Sequence, residues 1–342
     1  MEDDILKKIC KDSKLRRAVT RRSHFWFFHL FFPHYTEHET ALFQREMFSL
    51  TEEQEIKFSV VMAFRGSGKS TIMNLSYALW SILGIQKKKF VLIVSKTQSQ
   101  SKTHFLNIRR ELEGNELLSK DLGPFDVDEN TWGMNSIVLR QLNAKITAVS
   151  HEQSIRGLRH GTYRPDLIIC DDIEDSNSVL LKENRDATYQ WLMSEVIPAG
   201  DDRTKIIVLG NLLHEDSLLM RLRKDILEKR IDGSFRAYPL LDNNDQILWA
   251  GKYPTMVEIK KLKRSNPDIE IWEKEYLLCY NADRICPILD AIEKKDDKEN
   301  GEDALPVQIL GDYKISAPKI SFSVFNSLIE EIDKRGGKES AV

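Results

Sequence analysis

Cysteine, proline, glycine, one-sided charge and long apolar runs are all scarce in this sequence, and each shortage excludes something. The 342 residues hold four cysteines, Cys10, Cys170, Cys279 and Cys286, with no CxxC pair and no histidine cluster to complete a zinc set. They read as free thiols of a reducing compartment. Only 16 Gly and 10 Pro exclude collagen-like and low-complexity chains, while 41% hydrophobic and 30% charged residues suit one or two packed domains. Fifty Lys and Arg stand against 53 Asp and Glu, a net charge of −3, which excludes a bulk nucleic-acid coat and leaves room for a local basic surface. The longest apolar run, Phe25–Pro33, is broken by His29. It has about half of the ~20 residues that span a bilayer. The start, MEDDILKKICKDSKLRRAVTRR, lacks the apolar centre of a secretion signal. The expectation is a soluble, intracellular protein with no membrane partner.

Along the chain there is no internal repeat. Residues 5–32 read as mostly helical, basic over Lys14–Arg22 and aromatic over Phe25–Phe32, the aromatics suiting a core. From Phe58 the pattern alternates between strand and helix. FSVVMA (58–63), FVLIVS (90–95), DLIICDD (166–172) and KIIVLGN (205–211) read as buried strands, and 136–150 reads as a hairpin around Gln141–Asn143. Helices are predicted after the first strand, over 98–113, 215–230, 255–264, 267–280 and Phe322–Lys334, with a small strand near 235–240. Strands separated by helices imply a largely parallel sheet covered on both faces. Ligand chemistry on such a sheet collects at the strands' carboxyl ends.

The sharpest motif is Ala63-Phe64-Arg65-Gly66-Ser67-Gly68-Lys69-Ser70-Thr71, which matches G-x-x-x-x-G-K-[ST] except for Ala63. Gly66 and Gly68 permit the tight turn that aims N–H groups at phosphate. Lys69 would reach the β and γ phosphates, Ser70 would ligate Mg²⁺, and the helix start would oppose the anion. About a hundred residues on, Leu167-Ile168-Ile169-Cys170-Asp171-Asp172 has the Walker B form. Asp171 would hold Mg²⁺ and Asp172, one methylene shorter than the more frequent Glu, would orient water for attack. Glu174 and Asp175 are second candidates for that task, with surface acids of a turn the plainer reading. Arg65 lies inside the phosphate loop where it could touch the γ-phosphate. Arg156, Arg159 and Arg164 precede the Walker B strand, and an arginine given to a neighbouring subunit can neutralise transition-state charge. Which of them does so is left open.

At these residues the chain resembles the large terminase subunit of tailed bacteriophages, over roughly residues 25–280. AFRGSGKST resembles that family's deviant Walker A, SIRGLRHGTYRPDLIICDDIED its arginine-bearing approach to Walker B, IIVLGNLLHEDSL its coupling motif, and WEKEYLL (272–278) the helix closing its ATPase region. ETALFQREMF resembles its adenine-side segment, with Gln44 as base reader. The resemblance implies an α/β P-loop NTPase of the ASCE, RecA-like class, with small helical N- and C-terminal subdomains. The expected division is 1–50, 51–230 for the ATPase core, 231–290 for a lid or linker, and 291–342 for a charged tail. It implies an ATP- and Mg²⁺-dependent motor in the host cytoplasm, moving double-stranded DNA as a ring docked on the portal protein with the small terminase subunit. Asn211 would sense the γ-phosphate, a strand-end turn being the equal alternative. Lys87–Arg110, with seven basic residues and no acid, is either a DNA contact or a solvated face.

The family usually continues into a nuclease domain with three separated acids. Here the late acids Asp296, Asp297, Glu299, Glu302 and Asp303 sit in a charged run, so no DNA cleavage is expected. Two rivals remain: a helicase-like P-loop ATPase, opposed by the lack of a second RecA-like domain, and a degenerate, non-catalytic terminase acting in assembly.

Overall fold

The computed structural model describes residues 8–125, 135–280, 283–285, 308–310 and 313–315. Its centre is a seven-stranded sheet. In chain order the strands are β1 (Phe58–Ala63), β2 (Phe90–Ser95), β3 (Ser136–Leu139), β4 (Ala144–Ser150), β5 (Leu167–Asp171), β6 (Lys205–Gly210) and β7 (Ser234–Tyr238). They lie side by side in the order β3-β4-β2-β5-β6-β1-β7. All neighbours are parallel except the β3–β4 hairpin, which pairs Ile137 with Ile146. The predicted strands and hairpin are therefore present, and the small strand near 235–240 joins the main sheet beside β1.

Every residue of β1, β2, β5 and β6 is buried. This is what near-continuous Val, Ile and Leu runs do when both sheet faces are covered. Alternate residues divide between two cores. Val61, Ala63, Val91, Ile93, Ile169 and Leu209 face one layer, and Val60, Met62, Leu92, Val94, Cys170 and Val208 the other.

The first layer holds α1 (Ser13–Arg22), α2 (His24–Phe31), α3 (Leu42–Glu52) and the helix after the phosphate loop. That helix is π-wound over Thr71–Tyr77 and α-helical over Ala78–Leu83 (together α4). Next come α5 (Gln98–Gly114) and α6 (Glu116–Leu122). Within the stretch 5–32 the described residues are mostly helical as expected, with a break between α1 and α2 at Ser23. Ser23 is extended at φ −124° and ψ 121°, and the Glu52 carboxylate accepts from the Ser23 hydroxyl at 3.0 Å and the His24 N–H at 2.5 Å. An acid satisfying the first free N–H groups of α2 fixes the break. Phe27, Phe28, Phe31 and Phe32 are core residues, as read. Thr97 and Gln100 form a capping box that starts α5 where predicted.

The opposite layer holds α7, α-helical over Lys182–Trp191, π-wound over Leu192–Val196 and ending with Ile197–Ala199, and then α8 (Leu218–Leu227). α7 has no counterpart in the sequence reading. Its first five residues, 182–186, are all polar, and the buried apolar Leu192, Val196 and Ala199 come only in its second half. The chain continues through α9 (Met256–Ser265) and α10, formed by Ile269–Ile271 and the π-wound Trp272–Tyr276. The expected helix at Phe322–Lys334 and the acids between Asp296 and Asp303 lie outside the described residues.

α1 and α6 are joined by a buried ion pair. Arg16 Nη2 donates to Asp121 Oδ1 at 2.8 Å and Nε to Oδ2, while Nη1 donates to the Cys10 carbonyl at 2.6 Å. Asp121→Ala would strand a buried guanidinium and is expected to cost about 3 kcal/mol, whereas the double change Arg16→Met with Asp121→Leu costs less than about 1 kcal/mol. Urea denaturation of both variants checks this difference.

Candidate active site

The phosphate loop grows out of β1. Ala63 is the last strand residue, paired with Tyr238 in ordinary extended backbone, so the missing first glycine of the motif demands no special conformation. Gly66 and Gly68 do, at φ +83° and +87°. Between them Ser67 is buried, and its hydroxyl has no partner.

Three strand ends deliver the polar groups. Lys69, 7% exposed, donates from Nζ to Asn211 Oδ1 at 2.7 Å and stands 3.6 Å from Asp172 Oδ1. Asn211 follows β6, which lies between β1 and β5, so it stands between the phosphate loop and the Walker B acids. Asp171 ends β5 and is 2% exposed, with Oδ2 accepting from Asn74 Nδ2 at 2.5 Å and Oδ1 buried without a partner. Asp172 sits in the left-handed region at φ +45°, its N–H held by the Leu209 carbonyl at 3.1 Å. This turn sends the two adjacent acids to different places. Asp171 points into the protein and Asp172 is part-exposed. Burial first, then the neighbouring Asp171, push the Asp172 carboxyl above the usual carboxylate range, with Lys69 acting against them.

Ser70, Asp171 and Asp172 line one cavity of about 220 Å³ together with Ser99, Gln100, Thr103 and His104 of α5. Among the described residues no group of three or more His, Cys, Asp or Glu could hold a metal. A Mg²⁺ held by one carboxylate, a serine hydroxyl, phosphate oxygens and waters needs no such cage. The orphaned Oδ1 of Asp171, in a residue that lines the same cavity as Ser70, fits that ligand set.

Gln44 lies against the phosphate loop. Its Nε2 donates to the Ser67 carbonyl at 2.8 Å and its Oε1 accepts from the Ala41 N–H at 3.0 Å. One N–H and one lone pair of the amide remain, and Gln44 shares a second cavity with Gly68, Thr71, Tyr35, His38 and Trp249. Thr71 therefore faces this side of the loop while Ser70 faces the acids.

Arg65 is not turned toward the phosphate site. Its guanidinium, 61% exposed, pairs with Glu275 at 3.1 Å, and its N–H bonds the Glu275 carbonyl at 2.9 Å. The cause is the docking of α10 on the outer rim of the loop. Lys252 joins it there, donating to the Gly66 carbonyl at 3.1 Å and lying over the Trp249 ring at 4.9 Å. Nothing local marks Lys252 in the sequence, because its partner is 186 residues away.

The three arginines before β5 separate. Arg164 donates to the Pro198 and Gly200 carbonyls at 3.1 and 3.3 Å, and Arg156 reaches Glu195 at 3.6 Å, so both fasten their loop to α7. Arg159 faces solvent. Glu174 accepts from the Leu218 N–H at 2.7 Å at the start of α8, and burial pushes its carboxyl up to about 7. Asp175 is exposed and accepts from the Ser178 N–H at 2.7 Å. Asp175 is an exposed acid of a turn, as the plainer reading had it, whereas Glu174 is no surface acid: it caps α8 from a largely buried position and its Oε1 has no partner. The Lys87–Arg110 stretch does not form one surface. Lys88 and Lys89 bind the Asp166 and Leu142 carbonyls at the entry of β2, a strand length of about 20 Å from Lys96. Lys102 and Arg110 are exposed on α5, eight residues apart and so on one side of the helix.

No protein-family model matches the chain, and no curated protein matches it in sequence. Solved structures do match. The HK97 bacteriophage large terminase superposes with a TM-score of 0.50 at 13% identity, over 72% of this chain and 51% of that one. The fold is that of the phage large terminase ATPase region. The chain spans about half the length of the HK97 protein. The Thermus phage P74-26 large terminase ATPase domain matches at a TM-score of 0.46 and 14% identity, over 73% of this chain and 95% of that one. The large terminase of another thermophilic bacteriophage, in complex with ADP, matches at 0.42 and 10%, over 65% and 48%. In the terminase fold seen here, the strand set between the Walker A and Walker B strands is the one that carries Asn211.

Two outcomes follow from this geometry. A Cβ at Gly68 would lie 3.1 Å from Gln44 Nε2 at a backbone angle that disfavours any side chain, so Gly68→Ala is expected to weaken nucleotide binding by tenfold or more, read by fluorescence titration. Five residues after Asn211 in the chain, Asp216 accepts from Arg221 Nε and Nη2 at 2.8 and 2.7 Å and from Arg185 at 3.0 Å. Arg221 foremost holds its carboxyl down to about 2. The folded value lies below the unfolded one, so this stabilisation is complete above the ordinary carboxylate pKa and is lost as pH falls toward about 2. Asp216→Asn should flatten that part of the acid limb of melting temperature against pH.

Proposed function

We propose that this chain is the ATP-hydrolysing motor subunit of phage DNA packaging, driving double-stranded DNA into the prohead from the host cytoplasm. The observation that carries the proposal is the meeting of Lys69, Asn211 and Asp172 from three strand ends, beside the free oxygen of Asp171 and the hydroxyl of Ser70.

In this reading the N–H groups of Gly66–Thr71 cradle the phosphates and Lys69 exchanges Asn211 for the β and γ oxygens. Ser70 and Asp171 hold Mg²⁺, which when bound neutralises phosphate charge. Asp172, part-exposed and raised above the ordinary carboxylate range, orients water and accepts its proton. Asn211, released from Lys69, reports the γ-phosphate. Gln44 offers its remaining amide groups to the adenine. Arg65 contributes to charge neutralisation only when its pair with Glu275 opens. Arg159 is the better placed of Arg156 and Arg159 for a neighbouring subunit, since Arg156 is engaged with Glu195. The assembly is a ring on the portal protein, loaded through the small terminase subunit. Lys96, Lys102 and Arg110 are the DNA-phosphate contacts.

Steady-state hydrolysis with and without linear duplex DNA tests the reading. DNA-stimulated turnover is expected, and Lys69→Ala or Asp172→Asn should each lower it by about a hundredfold or more. Lys102→Ala with Arg110→Ala should reduce the slope of log affinity against log salt by about two, one per lost phosphate contact. Wild-type protein without turnover, even with portal and small subunit present, would leave the non-catalytic assembly role instead. Supercoiled plasmid with Mg²⁺ or Mn²⁺ should stay intact in the presence of these 342 residues.

A further inference from the structure

Asn74 is the one side-chain amide in the largely apolar helix that follows the phosphate loop. It is 1% exposed and lies in the π-wound turn Thr71–Tyr77, where a widened turn changes which residue points at the sheet. Its Nδ2 bonds Asp171 Oδ2 at 2.5 Å, and the His104 ring from α5 stands 3.5 Å from the same oxygen and 3.4 Å from the same nitrogen. The reversed amide would set its oxygen against a carboxylate, so the donor assignment follows from charge. Thus one oxygen of Asp171 is held from α4 and α5, and the other is buried and unpartnered, in a residue that lines the same cavity as Ser70. Asn74 Oδ1 is also buried and without a partner.

We propose that Asn74 is a positioning residue for the divalent cation: it clamps one oxygen of Asp171 so that the other is presented to Mg²⁺. A carboxylate turns readily about its last torsion, and without a partner Asp171 has no reason to keep its two oxygens in fixed places. The amide removes that freedom before the cation arrives. His104 packs against the pair and limits its rotation. This inference rests on the nucleotide-hydrolysis reading above and adds to it the residue that orients the metal-holding acid.

The test measures binding, not turnover. A fluorescent N-methylanthraniloyl ATP is titrated into wild type, Asn74→Leu, Asn74→Ala and Asp171→Asn, first without metal and then against increasing Mg²⁺. In wild type Mg²⁺ tightens the nucleotide, and Asp171→Asn removes most of that effect. In the Asn74 variants the half-saturating Mg²⁺ should rise about tenfold, as for loss of a group that orients a metal ligand, with metal-free affinity within about twofold of wild type. An unchanged Mg²⁺ midpoint in either variant that keeps its metal-free affinity overturns the proposal. Loss of metal-free binding in both variants also overturns it, since Asn74 then supports the fold and not the cation. Wild type that binds the nucleotide without any Mg²⁺ effect sinks this inference and leaves nucleotide binding standing. Wild type that binds no nucleotide removes both.

Discussion

The insertion of β6 between β1 and β5 is the constraint on which the site depends. Neighbouring strands lie about 4.8 Å apart, so two strands separated by a third stand about 10 Å from each other. The tip of the middle strand necessarily enters that gap. Asn211 is that tip, and it receives the Lys69 ammonium at 2.7 Å. Parallel pairing brings all three carboxyl ends to one edge, where the φ +45° turn at Asp172 separates two adjacent acids into a buried one and a part-exposed one.

The phosphate loop is also held from outside the sheet. Gln44 from α3 and Lys252 from the segment before α9 bind consecutive loop carbonyls, Ser67 and Gly66, while Glu275 of α10 takes both the N–H and the guanidinium of Arg65. Each contact joins a distant segment to a backbone that is otherwise fastened at β1 and α4 and by the Phe64 N–H to the Tyr238 carbonyl at 2.9 Å. The loop is thus a junction between the N-terminal helices and the segment after β7. Displacement at the phosphates would be felt in both, because packed interiors transmit strain instead of absorbing it.

Much of this was legible in the sequence because it depends on local pattern. Unbroken Val, Ile and Leu runs announce doubly covered parallel strands, and all four were located to within about a residue or two. Lys69, Ser70, Asp171 and Asp172 carry recognisable spacing, and the fold brings them together. The split of α1 from α2 was hidden because the acid that causes it, Glu52, is 29 residues away. α7 was hidden because its buried apolar residues come only in its second half. The basic stretch Lys87–Arg110 looked continuous because sequence proximity is not surface proximity once a strand lies within it. Asn74 left a faint trace, a single amide among apolar neighbours, but nothing that named its partner.

The sequence by itself determined the order of strands along the chain, the phosphate loop and the acids at the end of the Walker B strand. These follow from hydrophobic periodicity and from glycine's backbone freedom, both properties of a few adjacent residues. Only the tertiary structure decided that Arg65 faces Glu275, that Asn74 holds Asp171, and that Arg156 and Arg164 are fastened to α7 while Arg159 is not. Those outcomes turn on which long side chains find a partner across the fold. That choice is made by packing between segments up to 210 residues apart, over distances of about 3 Å.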